Sequence, residues 1–327
     1  MKFRYFDNAA TTRVYDDVVR EMIPYFTEKY GNPSSICELG KEAKRAIEEA
    51  RSKVASLINC EPDEVYFTSG GSESDNMAIK GVANMARRGH IITSKIEHSA
   101  VIHSCQNLER KGFRVTYLDV DKDGMVDLEQ LKKAIRNDTI LISIMFANNE
   151  IGTIEPIYEI SKIAKMYNII FHTDAVQACG NVPIDVKKMG IDMLSMSGHK
   201  LHAPKGTGAL YIRKGIRLDK HIDGGHQEGD KRAGTENVPG IVGLGKACEI
   251  ANEELDASVN KIIDACIDDF EIAEKVVIYR KRKDEINVAR SIIIRESIYK
   301  KLEDMREKYG ISISKLVNIA IRTGLES

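Results

Sequence analysis

The sequence predicts an α/β fold, with a mostly parallel sheet in a large N-terminal domain and a small helical segment after it. Three observations carry this. From about residue 40, helical and strand-like patterns alternate, and strands separated by helices imply βαβ units. The strand stretches are continuous apolar runs, TILISIMF (139–146) most clearly, as strands covered on both faces require. Near Asn252 the character changes: from Arg280 to the end, 12 Lys/Arg stand against 7 Asp/Glu, although the whole chain has a net charge of -1.

The elements follow in order. GKEAKRAIEEARSKVASLI (40–58) has apolar residues at helical spacing, and EVYFTSG (64–70) is a short strand ending in glycine. MAIKGVANMARR (77–88) is helical, HIITS (90–94) a strand, and AVIHSCQNLERKG (100–112) a helix. RVTYLDV (114–120) is a strand and DLEQLKKAIR (127–136) a helix; TILISIMF follows as a buried strand, then the helix IYEISKIAKMYN (157–168). IIFHTDA (169–175), IDMLSMSG (191–198) and GALYIRK (208–214) complete the strands. No internal repeat or low-complexity linker interrupts the series.

Composition narrows the function classes. Of the 327 residues, 43% are hydrophobic and 30% charged, as in an ordinary globular protein. The near-zero net charge gives no whole-molecule argument for nucleic acid or membrane binding. No apolar run approaches the ~20 residues of a membrane span, and the start, MKFRYFDNAATT, turns polar at once, unlike a signal peptide. The six cysteines (Cys37, Cys60, Cys105, Cys179, Cys248, Cys266) are scattered, with no C-x-x-C pair. That argues against zinc and against a disulfide framework, and points to a reducing cytoplasm.

Open α/β sheets bind ligands at the carboxyl ends of their strands. EVYF delivers TSGGSES (68–74), a glycine-rich turn into a helix with Ser72 as the expected N-cap, and so a candidate phosphate cradle. HIITS delivers His98, and TILISIMF delivers Asn148 and Asn149. IIFHTDA delivers Asp174 with Gln177 three residues on, and DMLSMS delivers Ser197, His199 and Lys200. A phosphate cradle, a flat imidazole, a carboxylate and a lysine together suit pyridoxal phosphate. The lysine condenses with the aldehyde, the carboxylate keeps the pyridine nitrogen protonated, and the imidazole stacks on the ring.

The motifs YFDNAATT, YGNPSS, TSGGSESDN, IEHSAV, NNEIGT, HTDAVQ, SGHKLHAPKGTG and RAGTENVPGIVG, in this order, resemble those of cysteine desulfurases, pyridoxal-phosphate enzymes of the class V aminotransferase fold. The resemblance covers roughly residues 4 to 250. It implies a pyridoxal-phosphate-dependent transferase-like large domain in which Lys200 is the cofactor-bonding lysine. Gly71, Ser72, Ser197 and His199 would bind the phosphate, and His98 would stack on the ring and shuttle protons. Asp174 would pair with the pyridine nitrogen, and Gln177 and Asn149 would contact the ring hydroxyl. Thr235 would reach the phosphate of a neighbouring subunit in a homodimer. The implied reaction takes sulfur from L-cysteine, leaves alanine, and hands an enzyme persulfide to a sulfur-acceptor scaffold protein, as in iron–sulfur cluster assembly.

The sequence departs from the family after Cys248. The serine-rich loop with the nucleophilic cysteine, and the arginine that grips the substrate carboxylate, are not legible there. Cys266 lies in the helical pattern KIIDACIDDF and Cys105 in the helix AVIHSCQNL, neither a context that makes a reactive thiolate. Residues 1–255 therefore read as the cofactor domain and 256–287 as a helical connection. Residues 288–327 resemble a ribbon-helix-helix module: a short strand, a helix, a turn at Gly310 and a second helix capped by Ser312. Such modules dimerise through their strands and read the DNA major groove from them. Here Ser291, Ile293 and Arg295 would face outward. The alternative function is thus a pyridoxal-phosphate-binding core joined to a DNA-binding regulatory tail.

Overall fold

The computed structural model describes residues 7–268, and only the helical backbone over 256–268. The chain opens with two short helices, α1 (Asp16–Met22) and α2 (Pro24–Thr27), which the sequence patterns do not announce. Helix α3 (Glu38–Ile58) buries Ala43, Ala46, Ile47, Ala50 and Val54 at the spacing of one helical face, and stops at Asn59, whose φ of 56° is left-handed. Then come β1 (Val65–Thr68), α4 (Gly71–Ala86), β2 (His90–Ser94), α5 (Ser99–Arg110), β3 (Arg114–Leu118), α6 (Leu128–Ala134) and β4 (Thr139–Ser143). After them come α7 (Ile157–Met166), β5 (Ile170–Asp174), α8 (Val186–Met189), β6 (Met193–Ser197), β7 (Gly208–Ile212) and α9 (Val238–Asp268).

The seven strands form one sheet in the order β1-β7-β6-β5-β4-β2-β3. Strands β6, β5, β4, β2 and β3 are parallel, while β7 runs antiparallel to both β6 and β1. Only a loop without a crossover helix joins β6 to β7, and parallel pairing needs such a crossover. Both faces are buried, which accounts for the unbroken apolar runs. Ile92, Ile142, Phe171, Leu194 and Tyr211 point into one core, which also holds the buried faces of α3, α7 and the start of α9. Their neighbours Ile91, Leu141, Met193, Leu210 and Ile212 point into a second core under α4 and α5.

One strand is shorter than its apolar run. The β4 ladder ends at Ser143, but Ile144, Met145 and Phe146 stay buried, and the N–H groups of Ile144 and Phe146 still donate to His172 and Asp174 carbonyls at 3.2 and 2.8 Å. No helix of the described residues is long and apolar enough to cross a membrane. The ribbon-helix-helix reading of 288–327, with Gly310 and Ser312, lies outside the described residues, as does most of the connection 256–287.

Candidate active site

The carboxyl ends of β5 and β6 bring the central residues together. Asp174 closes β5, is 6% exposed, and accepts the Val176 N–H on Oδ1 at 2.9 Å. Burial raises its carboxyl; the Val176 N–H, His98 and Lys200 pull the other way. Lys200 follows β6 in a short 3-10 turn, half-buried. Its ammonium donates to the carbonyls of Ala9 and of Ala10, the latter at 2.9 Å. Burial lowers the Lys200 pKa, against the upward pull of Asp7 and Asp174.

The N-terminal residues are clamped onto the lysine turn. Thr12 donates its N–H to the His199 carbonyl at 2.9 Å and accepts the His202 N–H on Oγ1 at 2.8 Å. Thr11 Oγ1 lies 3.1 Å from His199 Nδ1, and Tyr15 stacks on His202 with ring centroids 4.0 Å apart. His199 is half-buried, and its pKa is lowered by burial and by Lys200 and Lys205. Gln177 donates Nε2–H to the Ala9 carbonyl at 3.1 Å, the same acceptor that Lys200 uses. The sequence reading assigned Gln177 to the cofactor and gave no role to residues 9–12.

The glycine turn starts α4, but its cap differs from the one expected. Gly70 is the N-cap, and Ser72 lies in the first turn, exposed, with no capping bond. Ser72 instead lines a polar groove of about 380 Å³ with Asn76, Ser99 and His103. Gly71 is buried, and a Cβ there would stand 2.6 Å from Val176 Cγ2. A Cβ on Gly208, where β7 begins, would stand 2.6 Å from Gly70 Cα, so the backbone of the Thr68–Ser74 turn and the lysine loop touch. Ser197 Oγ lies 3.7 Å from the position a Gly70 Cβ would take.

The other candidates surround this centre. His98 is exposed and caps α5, its Nδ1 accepting the Ala100 N–H at 3.2 Å, so its neutral form carries the proton on Nε2. Asn149 is half-buried in the turn after β4. Its neighbour Asn148 holds that turn, accepting the N–H groups of Glu150 and Ile151 at 2.8 and 3.0 Å and donating to the Ile96 carbonyl at 3.1 Å. Thr235 is exposed. The same loop is tied to the cradle, because Arg232 donates to Glu73 at 2.8 Å.

Among the cysteines whose surroundings are described, Cys60, Cys105, Cys179 and Cys248 are buried and Cys37 is exposed. Burial pushes the thiols of Cys60, Cys105 and Cys248 up to about 12 and that of Cys179 well above its ordinary value. Cys37, just before α3, drew no attention in the sequence because no motif marks it.

These residues fit pyridoxal phosphate. A glycine turn opens a helix beside the Ser197 hydroxyl; a side chain at Gly71 would collide with Val176 and one at Gly70 would stand 3.7 Å from Ser197 Oγ, so the turn presents bare backbone at a helix start, as an anion site requires. A buried carboxyl and a desolvated lysine converge next to it. The mostly parallel sheet sets the lysine turn at a strand's carboxyl end, where open α/β sheets bind their ligands.

The model of the aminotransferase class V family matches residues 4–315. The cysteine desulfurase IscS of Methanosarcina thermophila is 63% identical over 256 residues, covering 78% of this chain and 63% of that protein. A solved structure titled SspA in complex with cysteine is 43% identical with a TM-score of 0.74, covering 80% of this chain and 78% of that one. A NifS-like protein structure is 39% identical with a TM-score of 0.76, covering 98% and 90%. The chain belongs to the class V aminotransferase family, in its cysteine desulfurase branch, and depends on pyridoxal phosphate as that family does. It spans slightly less than two thirds of the length of the curated relatives it matches first.

Proposed function

We propose that this protein is a cysteine desulfurase-type enzyme that binds L-cysteine and mobilises its sulfur. The observation that carries the reading is the convergence of Lys200, Asp174 and the Gly70–Gly71 cradle, with the lysine held half-buried and its pKa lowered. When bound, pyridoxal phosphate supplies an electron sink for the pair left at the substrate Cα. Lys200 moves the Cα proton, a task that the downward pull of burial on its amine favours. Asp174 holds the proton on the ring nitrogen, and His98, at the exposed rim, stacks on the ring and relays protons. Gly71, Ser72, Ser197 and His199 hold the phosphate; Asn149 and Gln177 hold the ring hydroxyl. Thr235 serves a neighbouring subunit, which makes the active form a homodimer.

The overall change is L-cysteine plus a thiol giving L-alanine plus a persulfide: a C–S bond breaks and an S–S bond forms. The thiol has to be accessible as a thiolate. The four buried cysteines are poorly placed for this, and the exposed Cys37 precedes α3 with no motif of the cysteine loop around it, so the reading is that the chain by itself binds cysteine and releases sulfur slowly. Delivery to a sulfur-acceptor scaffold protein in the cytoplasm fits this reading.

The test is spectroscopic. Pyridoxal phosphate should give the wild type a visible absorption band, which L-cysteine shifts, while a folded Lys200→Ala variant should show no band. An unchanged band in that variant would sink the lysine assignment. Alanine made at an ordinary enzymatic rate, and abolished by Cys105→Ser, Cys266→Ser or Cys37→Ser, would overturn the slow-release reading.

A second reading rests on the basic excess from Arg280 onward: a cofactor-binding core, residues 1–255, whose tail 288–327 binds DNA. Duplex DNA should then bind the full chain with an affinity that falls steeply with salt. Indifference to DNA at low salt would dispose of it.

A further inference from the structure

Beneath Asp174 lies a second carboxyl that the reaction above does not use. Asp75, on α4, is 1% exposed, and neither of its oxygens has a hydrogen-bond partner. His172 Nε2 lies 3.7 Å from Oδ1. That imidazole does not compensate a charge. It is fully buried, with Nδ1 2.9 Å from Ser143 Oγ and Nε2 2.9 Å from Ser195 Oγ, and burial lowers its pKa to about 3. Ser195 is close enough to ease Asp75 slightly toward ionisation, but its hydroxyl is engaged with His172.

A carboxyl oxygen of Asp75, one of Asp174 and a ring nitrogen of His98 all lie within 4.8 Å of one another. Two buried carboxyls so close do not both ionise, because the second charge meets desolvation and the repulsion of the first. The surroundings decide which one keeps the proton. Asp174 accepts the Val176 N–H and faces His98 and Lys200, all of which favour its carboxylate. Asp75 faces Asp174, the neutral His172 and the buried Glu97, and its carboxyl is raised well above the ordinary range, first by burial and then by Asp174.

We infer that Asp75 is a positioning residue for Asp174: the two carboxyls share one proton, held on Asp75, so that Asp174 meets the cofactor ring as the ionised member of the pair. The assignment of Asp174 to the ring nitrogen is the reading proposed above, and this inference rests on it. The pair resembles other sites in which neighbouring carboxyls are driven to opposite proton states, one acid kept neutral near pH 7 so that the other stays charged. Replacing Asp75 by a neutral side chain of the same shape leaves the site as it is. Replacing Asp174 in the same way removes the ring's counter-charge.

Infrared spectroscopy of the cofactor-free protein at neutral pH tests the proton's place directly, through the carbonyl stretch of protonated carboxyls. Asp75→Asn should remove one component of that band, and Asp174→Asn should leave it. Loss in Asp174→Asn with retention in Asp75→Asn, or no loss in either, overturns the inference. Should Asp75→Asn fail to fold, Asp75→Leu of similar volume carries the same test. In the holoprotein, Asp75→Asn should bind pyridoxal phosphate within about threefold of wild type, and Asp174→Asn should bind it at least about tenfold more weakly. A cofactor that does not bind the wild type would refute the site reading while leaving the infrared result to judge the shared proton. Cofactor binding weakened as much by Asp75→Asn as by Asp174→Asn would overturn the inference, since a neutral Asp75 is replaced by Asn without loss of charge.

Discussion

Glu97, beside the ring-stacking candidate His98, has its proton state set by burial. One oxygen accepts the Ser94 hydroxyl at 2.7 Å and the Met145 N–H at 2.9 Å; the other has no partner, and desolvation pushes the carboxyl up to about 8. Between the ordinary value of 4.5 and about 8, the folded state holds a proton that the unfolded chain has lost, so stability falls as pH rises through that window. Glu97→Gln should flatten the fall in denaturant-melting experiments, an effect of the order of a few kcal/mol across the window. His172 works the other way: lowered by burial to about 3, it stays neutral while the unfolded histidine protonates, so stability falls as pH drops from 6.5 toward 3. A thiol reagent added to the native protein gives an independent check at this scale. It should label Cys37 quickly, and Cys60, Cys105, Cys179 and Cys248 only on unfolding. Rapid labelling that survives Cys37→Ser would mean that another thiol is open.

At the scale of elements, the loop that carries Thr235 is pinned by two ion pairs. Arg51 on α3 grips Glu228 with two hydrogen bonds at 2.8 and 2.9 Å and donates to the Val65 carbonyl, while Glu228 also accepts the Phe67 N–H at 2.7 Å. Both side chains are nearly enclosed, and Glu228 has a positive φ of 46°. Removing one partner strands a buried charge, so Arg51→Met should cost about 3–5 kcal/mol in urea melts, and adding Glu228→Gln should recover part of it. If Arg51→Met melts like wild type, the pair contributes nothing. None of this was legible in the sequence, where Arg51 is one more cation on an amphipathic helix and its partner lies far along the chain. What was legible followed from period and composition. The apolar runs marked the strands, and with them the placement of Asp174 and Lys200 at strand carboxyl ends. The run TILISIMF did not reveal where its ladder stops, because Ile144 to Phe146 stay buried after pairing ends. The N-cap went to Gly70 rather than Ser72, because the close pass of β7 at Gly208 needs backbone without side chains there. The DNAATT segment gave no sign of its position, since its contacts to His199, Lys200 and Gln177 run mostly through backbone carbonyls.

For the whole molecule, the sheet's strand order sets when the fold can close. β1 forms near the start of the chain, yet among the described residues its only partner is β7, with Val65 opposite Tyr211 and Thr68 opposite Gly208. During synthesis, the edge containing the glycine cradle therefore waits with open hydrogen-bonding groups until nearly the whole sheet has been made. Contacts between such distant segments carry a loop-closure cost, so this edge should zip up late on refolding. Pulsed hydrogen exchange should find the β1 amides protected no earlier than those of β7, and after those of the β2–β4 centre. Until then a nascent chain exposes an apolar strand next to an unfinished glycine turn, which makes this edge the place where a stalled or shortened chain would be drawn into aggregates or held by a chaperone.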